Sequence, residues 1–203
     1  MYVKKEKEIF SFMKILNKST LIIMLFLSTT ILLCAGVFAD EFEILSVKDK
    51  VEVSNDKKKW EDVVAPLIIQ SGTWIRTGST ASATIVLPNK TQTKIARNSE
   101  ILLKSKEKKA EVQLSLGKLW SKTNKKGSKL KIKAPNAVAS IRGTEWVVEV
   151  NSEGVSSLAV LEGNIELASN SGESKNIESG SVAEVDKNDF GHSTKMYRLK
   201  VLN

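Results

Sequence analysis

From Phe42 onward, apolar and polar residues alternate with a period of two, the spacing of half-buried β-strands. Phe42 and Ile44, then Val51 and Val53, open the pattern, and Asn55, Asp56, Lys57, Lys58 and Lys59 make a polar turn before Trp60. Pro66 stops any helix begun by Val63 and Val64, and residues 67–69 start a new apolar segment. Ala81, Ala83, Ile85 and Leu87 alternate with Ser82, Thr84 and Val86 up to a turn at Pro88 and Asn89. Residues 91–95 and 101–104 predict two more strands around a turn at Arg97, Asn98 and Ser99. A charged tip over 104–109 leads to Val112, Leu114 and Leu116, and the lysine-rich stretch 122–129 reads as an exposed hairpin loop. Strands and turns following each other every eight to twelve residues or so predict an all-β domain, a sandwich or a short β-solenoid.

The most distinctive stretch is 133–150. A break at Pro135 is followed by the small-residue run Ala137, Val138, Ala139, then Ile141, Arg142, Gly143, Thr144, and a β-branched run after Trp146. This predicts strands over 137–141 and 146–150 flanking a bend at Arg142 and Gly143. Beyond it come a turn at 151–154, strand-like Val155 to Leu167, a polar loop over 168–176, short strands around Ile177 and Val182 to Val185, and a weak last strand over 197–202. One pattern recurs at Ile69 to Trp74, Leu114 to Leu119, Val160 to Ile165 and Ile177 to Val182: apolar, two residues, Gly, one residue, apolar. Glycine there permits a positive φ, so these positions are expected to be corners at which the chain turns and resumes a strand on the same core.

A second kind of segment precedes the β pattern. Residues 21–38 are apolar except for Ser28, Thr29 and Thr30, follow Lys14 and Lys18, and end at Val37, Phe38 and Ala39. This is the layout of a secretory signal peptide over 1–39, cleaved after Ala39, with Met13 a candidate true start. The alternative is an uncleaved inner-membrane anchor over 21–38. The single cysteine, Cys34, follows Leu33 rather than a small residue, against lipidation, and its removal leaves no thiol for a disulfide, a nucleophile or a metal. The β domain is expected over 40–190, with a tail over 191–203. Of 31 basic and 23 acidic residues, five Lys and two acids fall in 1–39, so the exported part carries 26 and 21, net +5. That excess suits soft contact with an anionic surface and falls short of a nucleic-acid footprint.

The stretch from about 47 to 185 resembles the FecR family. The resemblance rests on Ala134, Pro135, Ala137, Val138, Ala139, then Ile141, Arg142, Gly143, Thr144, Glu145, Trp146, followed by Val160, Leu161, Glu162, Gly163, Asn164 and Ile165. Upstream, Ile75, Arg76, Thr77, Gly78, Ser99 and Ile101 are similar to the family's earlier strands, and Ser179 with Gly180 to its closing turn. Where many members carry Asp-Gly-Ser this chain has Pro88, Asn89 and Lys90. The resemblance implies an exported β domain with Pro135, Arg142, Gly143, Thr144, Trp146 and Gly163 as its structural motif. Regulators of the iron-dicitrate type place a sigma-factor-contacting helical segment before the membrane span, and the residues before position 21 are too few for one. Two roles follow: a non-catalytic cell-envelope interaction or scaffold module, or a periplasmic FecR-type sensor lacking that segment.

Candidate chemistry is sparse. Arg142 is expected to satisfy groups at a strand bend, with Glu145 or Glu162 as its partner. Trp60, Trp74, Trp120 and Trp146 suit packing better than glycan stacking, and alternation places Trp74 and Trp146 inside. Lys118, Lys122, Lys125, Lys126, Lys129, Lys131 and Lys133, with Lys104, Lys106, Lys108 and Lys109, are a candidate surface for an anionic partner. His192 stands alone, no Ser or Cys has a nucleophile's context, and no cluster has metal-ligand spacing, so neither enzyme activity, cofactor nor metal is expected. The expected partner is an envelope protein or anionic envelope polymer, not nucleic acid, and cleavage after Ala39 would leave no stable membrane insertion.

Overall fold

The computed structural model describes residues 41–107, 109–122, 130–191 and 194–195, which form eighteen strands and no α-helix. The leader expected over 1–39, with Cys34 and Ala39, lies outside the described residues, as do Lys108, Lys125, Lys126, Lys129, His192 and the strand expected over 197–202.

The chain passes repeatedly between two sheets. β1 (Glu41–Lys48) lies in a front sheet, β2 (Val51–Ser54) and β3 (Glu61–Asp62) in a back sheet, β4 (Leu67–Gln70) in front, β5 (Trp74–Thr77) in back. β6 (Ser82–Val86) and β7 (Gln92–Ile95) return to the front, and β8 (Glu100–Lys106) to the back. The long β9 (Lys109–Lys122) belongs to both, residues 109–116 pairing with β8 and 117–122 with the front sheet. β10 (Leu130–Lys133) and β11 (Ala137–Ile141) are in back, β12 (Glu145–Val150) and β13 (Ser156–Glu162) in front, β14 (Asn164–Ser169) and β15 (Ser174–Glu178) in back. β16 (Ser181–Asp186), β17 (Asp189–Phe190) and β18 (Thr194–Lys195) finish the front sheet. The front order is β4-β1-β6-β7-β9-β12-β13-β16, the back order β3-β2-β5-β8-β9-β10-β11-β14-β15, and their inner faces form one apolar core. The expected all-β fold is therefore a two-sheet sandwich, with β17 and β18 both attached to β16.

The glycine corners expected from the sequence are the crossings between sheets. Gly72, Gly117, Gly163 and Gly180 take φ of 100°, 96°, 86° and 78°, and Gly143, between β11 and β12, takes 69°. At β9 the crossing also resets which residues face inward: Ala110, Val112 and Leu114 are buried before it, Leu119 and Ser121 after it. One extra residue of β9 opposite the start of β8 absorbs the change of phase. The backbone there passes over Ser99, whose N–H donates to Thr77 Oγ1 at 2.9 Å and whose Oγ accepts from the Lys118 N–H at 3.1 Å.

The 133–150 stretch builds the neighbouring pair of crossings. Ala137, Ala139 and Ile141 face the core, and Trp146 is fully buried. The chain moves from back to front at Gly143 and from front to back at Gly163, and the Thr144 methyl sits where a side chain on Gly163 would go, 2.7 Å from its Cβ position. Pro135 opens the β10–β11 turn, where its carbonyl accepts from Asn170 Nδ2 at 2.8 Å.

Four expectations need correction. The strands on either side of 123–129, residues outside the described ones, do not pair as a hairpin: β10 runs parallel to β9, Leu130 opposite Ala110 and Lys133 opposite Gln113. The polar stretch 168–176 is mostly strand, leaving a short turn at 170–173 because Ala168 pairs with Ser174. Trp74 is half-buried on the outward row, since Thr73, Ile75 and Thr77 take the inward positions. Arg142 is exposed and, among the described residues, makes no ion pair, because Lys122 holds Glu145 at 2.9 Å and Glu162 at 3.3 Å. Arg142→Lys is therefore expected to change stability by no more than about 0.5 kcal/mol. A melting temperature within about 2 °C of the parent checks it.

Candidate functional site

Lysines dominate the charge, and cross-strand register decides which of them have partners. On the front sheet, Lys118 lies opposite Glu149 and pairs with it at 2.8 Å. Lys122 is shared by Glu145 and Glu162, and these two carboxylates, Glu145 foremost, hold its ammonium pKa above the ordinary lysine range. The charges of both lysines are locally balanced.

Lys131 lies on the other sheet, in a row with Glu111 of β9 and Lys104 of β8. Neighbouring strands are about 4.8 Å apart, so Lys104 and Lys131 flank Glu111 across a gap of roughly 10 Å. Lys106 faces Lys109 at the tip of the β8–β9 hairpin, and Lys133 follows Lys131 on the same face of β10. These elements enclose a groove of about 510 Å³ lined by Lys104, Lys106, Lys109, Lys131, Glu107 and Glu111, with Ser71, Ser105 and Ala110. Glu107 is 3.8 Å from Lys109, and Glu111 accepts from Gln113 Nε2 at 2.7 Å. Among the described residues Lys104, Lys106, Lys131 and Lys133 make no ion pair. The lysines singled out in the sequence thus divide into a balanced front pair, Lys118 and Lys122, and an unbalanced group around the back groove that includes Lys131. The groove lining carries four lysines against two glutamates. Among the described residues no group of three or more His, Cys, Asp or Glu could hold a metal.

The aromatic residues form no open stacking platform. Trp146 is inside, and the rings of Trp60, Trp74 and Trp120 carry Arg76 at 4.1 Å, Lys57 at 4.0 Å and Lys94 at 5.4 Å. Arg76 also grips Glu52 through two hydrogen bonds, 2.6 Å and 3.0 Å long, which sequence reading missed because the partners are 24 residues apart. That fork lowers the Glu52 pKa from its ordinary 4.5, with Lys50 adding to the effect. A carboxylate depressed in the folded state stabilises above its unfolded pKa, and the contribution fades as pH falls through the folded value. Glu52→Gln is expected to destabilise at pH 7 and to narrow its deficit as pH drops below about 4.5. Thermal melts of both proteins from pH 7 to pH 3 check this, and a deficit independent of pH contradicts it.

The model of the family described as FecR protein matches residues 73–166, from the start of β5 into β14, a span that holds all of the groove except Ser71. No curated protein matches the chain. Two crystal structures of a candidate anti-sigma factor from Parabacteroides distasonis ATCC 8503, at 1.65 Å and 2.50 Å resolution, share the fold with TM-scores of 0.54 and 0.53 at 11% and 12% identity. Each alignment covers 61% of this chain and 59% of the other, so the chain spans about three fifths of the structures it matches. At that identity the likeness is one of fold.

Proposed function

Because the model of the FecR family matches residues 73–166, we propose that the chain works by binding rather than catalysis, as an exported envelope module that engages an anionic envelope polymer through the back-sheet groove. The observation that carries this reading is the contrast between Lys104, Lys106 and Lys131, which make no ion pair among the described residues, and Lys118 and Lys122, which do. Unneutralised cations gathered on one concave face raise the local concentration of a polyanion, whereas paired ones do not. Export rests on the leader layout of residues 1–39.

The test is binding of the full chain to long-chain polyphosphate at rising salt. Affinity is expected to fall steeply between about 0.1 M and 1 M salt, as the screening length shrinks from about 10 Å to 3 Å. No binding at low salt, or binding indifferent to salt, would overturn the proposal.

A second reading is a FecR-type signalling component, favoured by the fold shared with candidate anti-sigma factors. Capture of an outer-membrane receptor or membrane transducer by the full chain supports it, and capture of a surface polymer favours the first. The mass of the protein isolated from cells shows whether residues 1–39 are removed, and a retained segment strengthens the signalling reading.

A further inference from the structure

The sandwich has four sheet edges among the described residues, and three are protected. β3 is two residues long and both are acidic, β15 is polar and carries Lys175 and Glu178, and β17 and β18 are two residues each. Short or charged edges of this kind resist further strand pairing. β4 differs. It reads Leu67, Ile68, Ile69, Gln70, carries no charge, and pairs with β1 alone. Ile68 is 60% exposed and Val64, just before the strand, 83%. Beside β4 runs a groove of about 400 Å³, bordered by β3 and by the turn after β2, at the side of the sandwich where both sheets end.

Charge gives the occupant its chemistry. Glu43 and Glu41 of β1 lie opposite Ile68 and Gln70, and Asp56 and Glu61 line the groove, with Asp62 following Glu61 on β3. Among the described residues the cation lining the groove is Lys59, already 3.2 Å from Glu61, while Lys57 pairs with Glu100. We propose that β4 accepts an added strand from a partner protein, an extended segment in which apolar residues alternate with Lys or Arg. Backbone hydrogen bonds to the free side of β4 supply the pairing. Apolar side chains on the outward row cover Ile68, and cations on the alternate row reach the groove to meet Asp56 and Glu61. Residues 67–70 lie outside the span that matches the family, and the groove beside β4 shares no lining residue with the groove of the proposed function.

The probe is a decapeptide alternating Val with Lys, its counterpart alternating Val with Glu, and the full chain. The Lys peptide is expected to bind saturably, at least about tenfold more tightly than the Glu peptide, and to slow amide exchange in residues 67–70. Ile68→Lys, on an exposed side chain, is expected to abolish that slowing, whereas Lys104→Glu leaves it intact. Equal binding of the two peptides, or unchanged exchange in β4, overturns the proposal. So does self-association of the chain that Ile68→Lys removes, because a second copy then holds the edge.

Discussion

Gly117→Ala is expected to cost about 3–5 kcal/mol. Two penalties coincide. A side chain at φ 96° is strained in any surroundings, and an added Cβ would lie 2.2 Å from Ser99 Oγ and 2.5 Å from Ser99 Cα. The clash with the Ser99 main chain is decisive, because shortening Ser99 to glycine removes the hydroxyl and leaves the backbone in the way. Moving that backbone disturbs the Thr77 and Lys118 hydrogen bonds, which tie the β7–β8 crossing to the end of β5 and to the β9 crossing. Gly72→Ala is the control. Its φ is 100° but nothing lies within 4 Å, so only the conformational part is paid, about 1–2 kcal/mol. Denaturant melts of the two variants compare them directly. Equal losses would mean that strain alone, and not the meeting of two crossings, demands glycine at 117.

Trp146→Ala is expected to cost a similar amount, about 3–5 kcal/mol, by opening a cavity between the sheets. Trp146 is fully buried on β12, next to the two crossings at Gly143 and Gly163. Its indole N–H finds no acceptor among the described residues, and neither does the buried Thr144 hydroxyl. The residue therefore stabilises through volume and apolar area, not through a hydrogen bond. Trp146→Phe should lose much less than Trp146→Ala, since the phenyl ring keeps most of the packing and removes an unpaired donor. Chemical denaturation separates the two, and a Phe variant as unstable as the Ala variant would show that the N–H is satisfied.

Most of this architecture is legible along the chain because strand periodicity is local. The alternation at Ala81 to Leu87 and the bend at Arg142 and Gly143 follow from it directly. What is not legible depends on which strands become neighbours. The parallel entry of β10 beside β9 could not be read from residues 122–129, whose composition suits a hairpin loop equally well. Trp74 illustrates the same limit: its neighbours Thr73 and Ile75 take the core, Leu102 on β8 lies opposite it, and Lys57 covers the ring. Arg142 and the lysines turn on register too. Glu145 and Glu162 were reasonable partners for Arg142 by proximity in sequence, but β9 brings Lys122 alongside both. Clustered in sequence, the lysines separate in space because β9 itself changes sheets between Glu111 and Lys118.

That separation gives the most direct test of the functional claim, the affinity of the full chain for long-chain polyphosphate after paired charge reversals. Lys104→Glu with Lys131→Glu is expected to weaken binding by at least about tenfold, while Lys118→Glu with Lys122→Glu stays within about twofold of the parent. Equal losses from the two pairs would contradict the account, since binding would then follow net charge and not the groove.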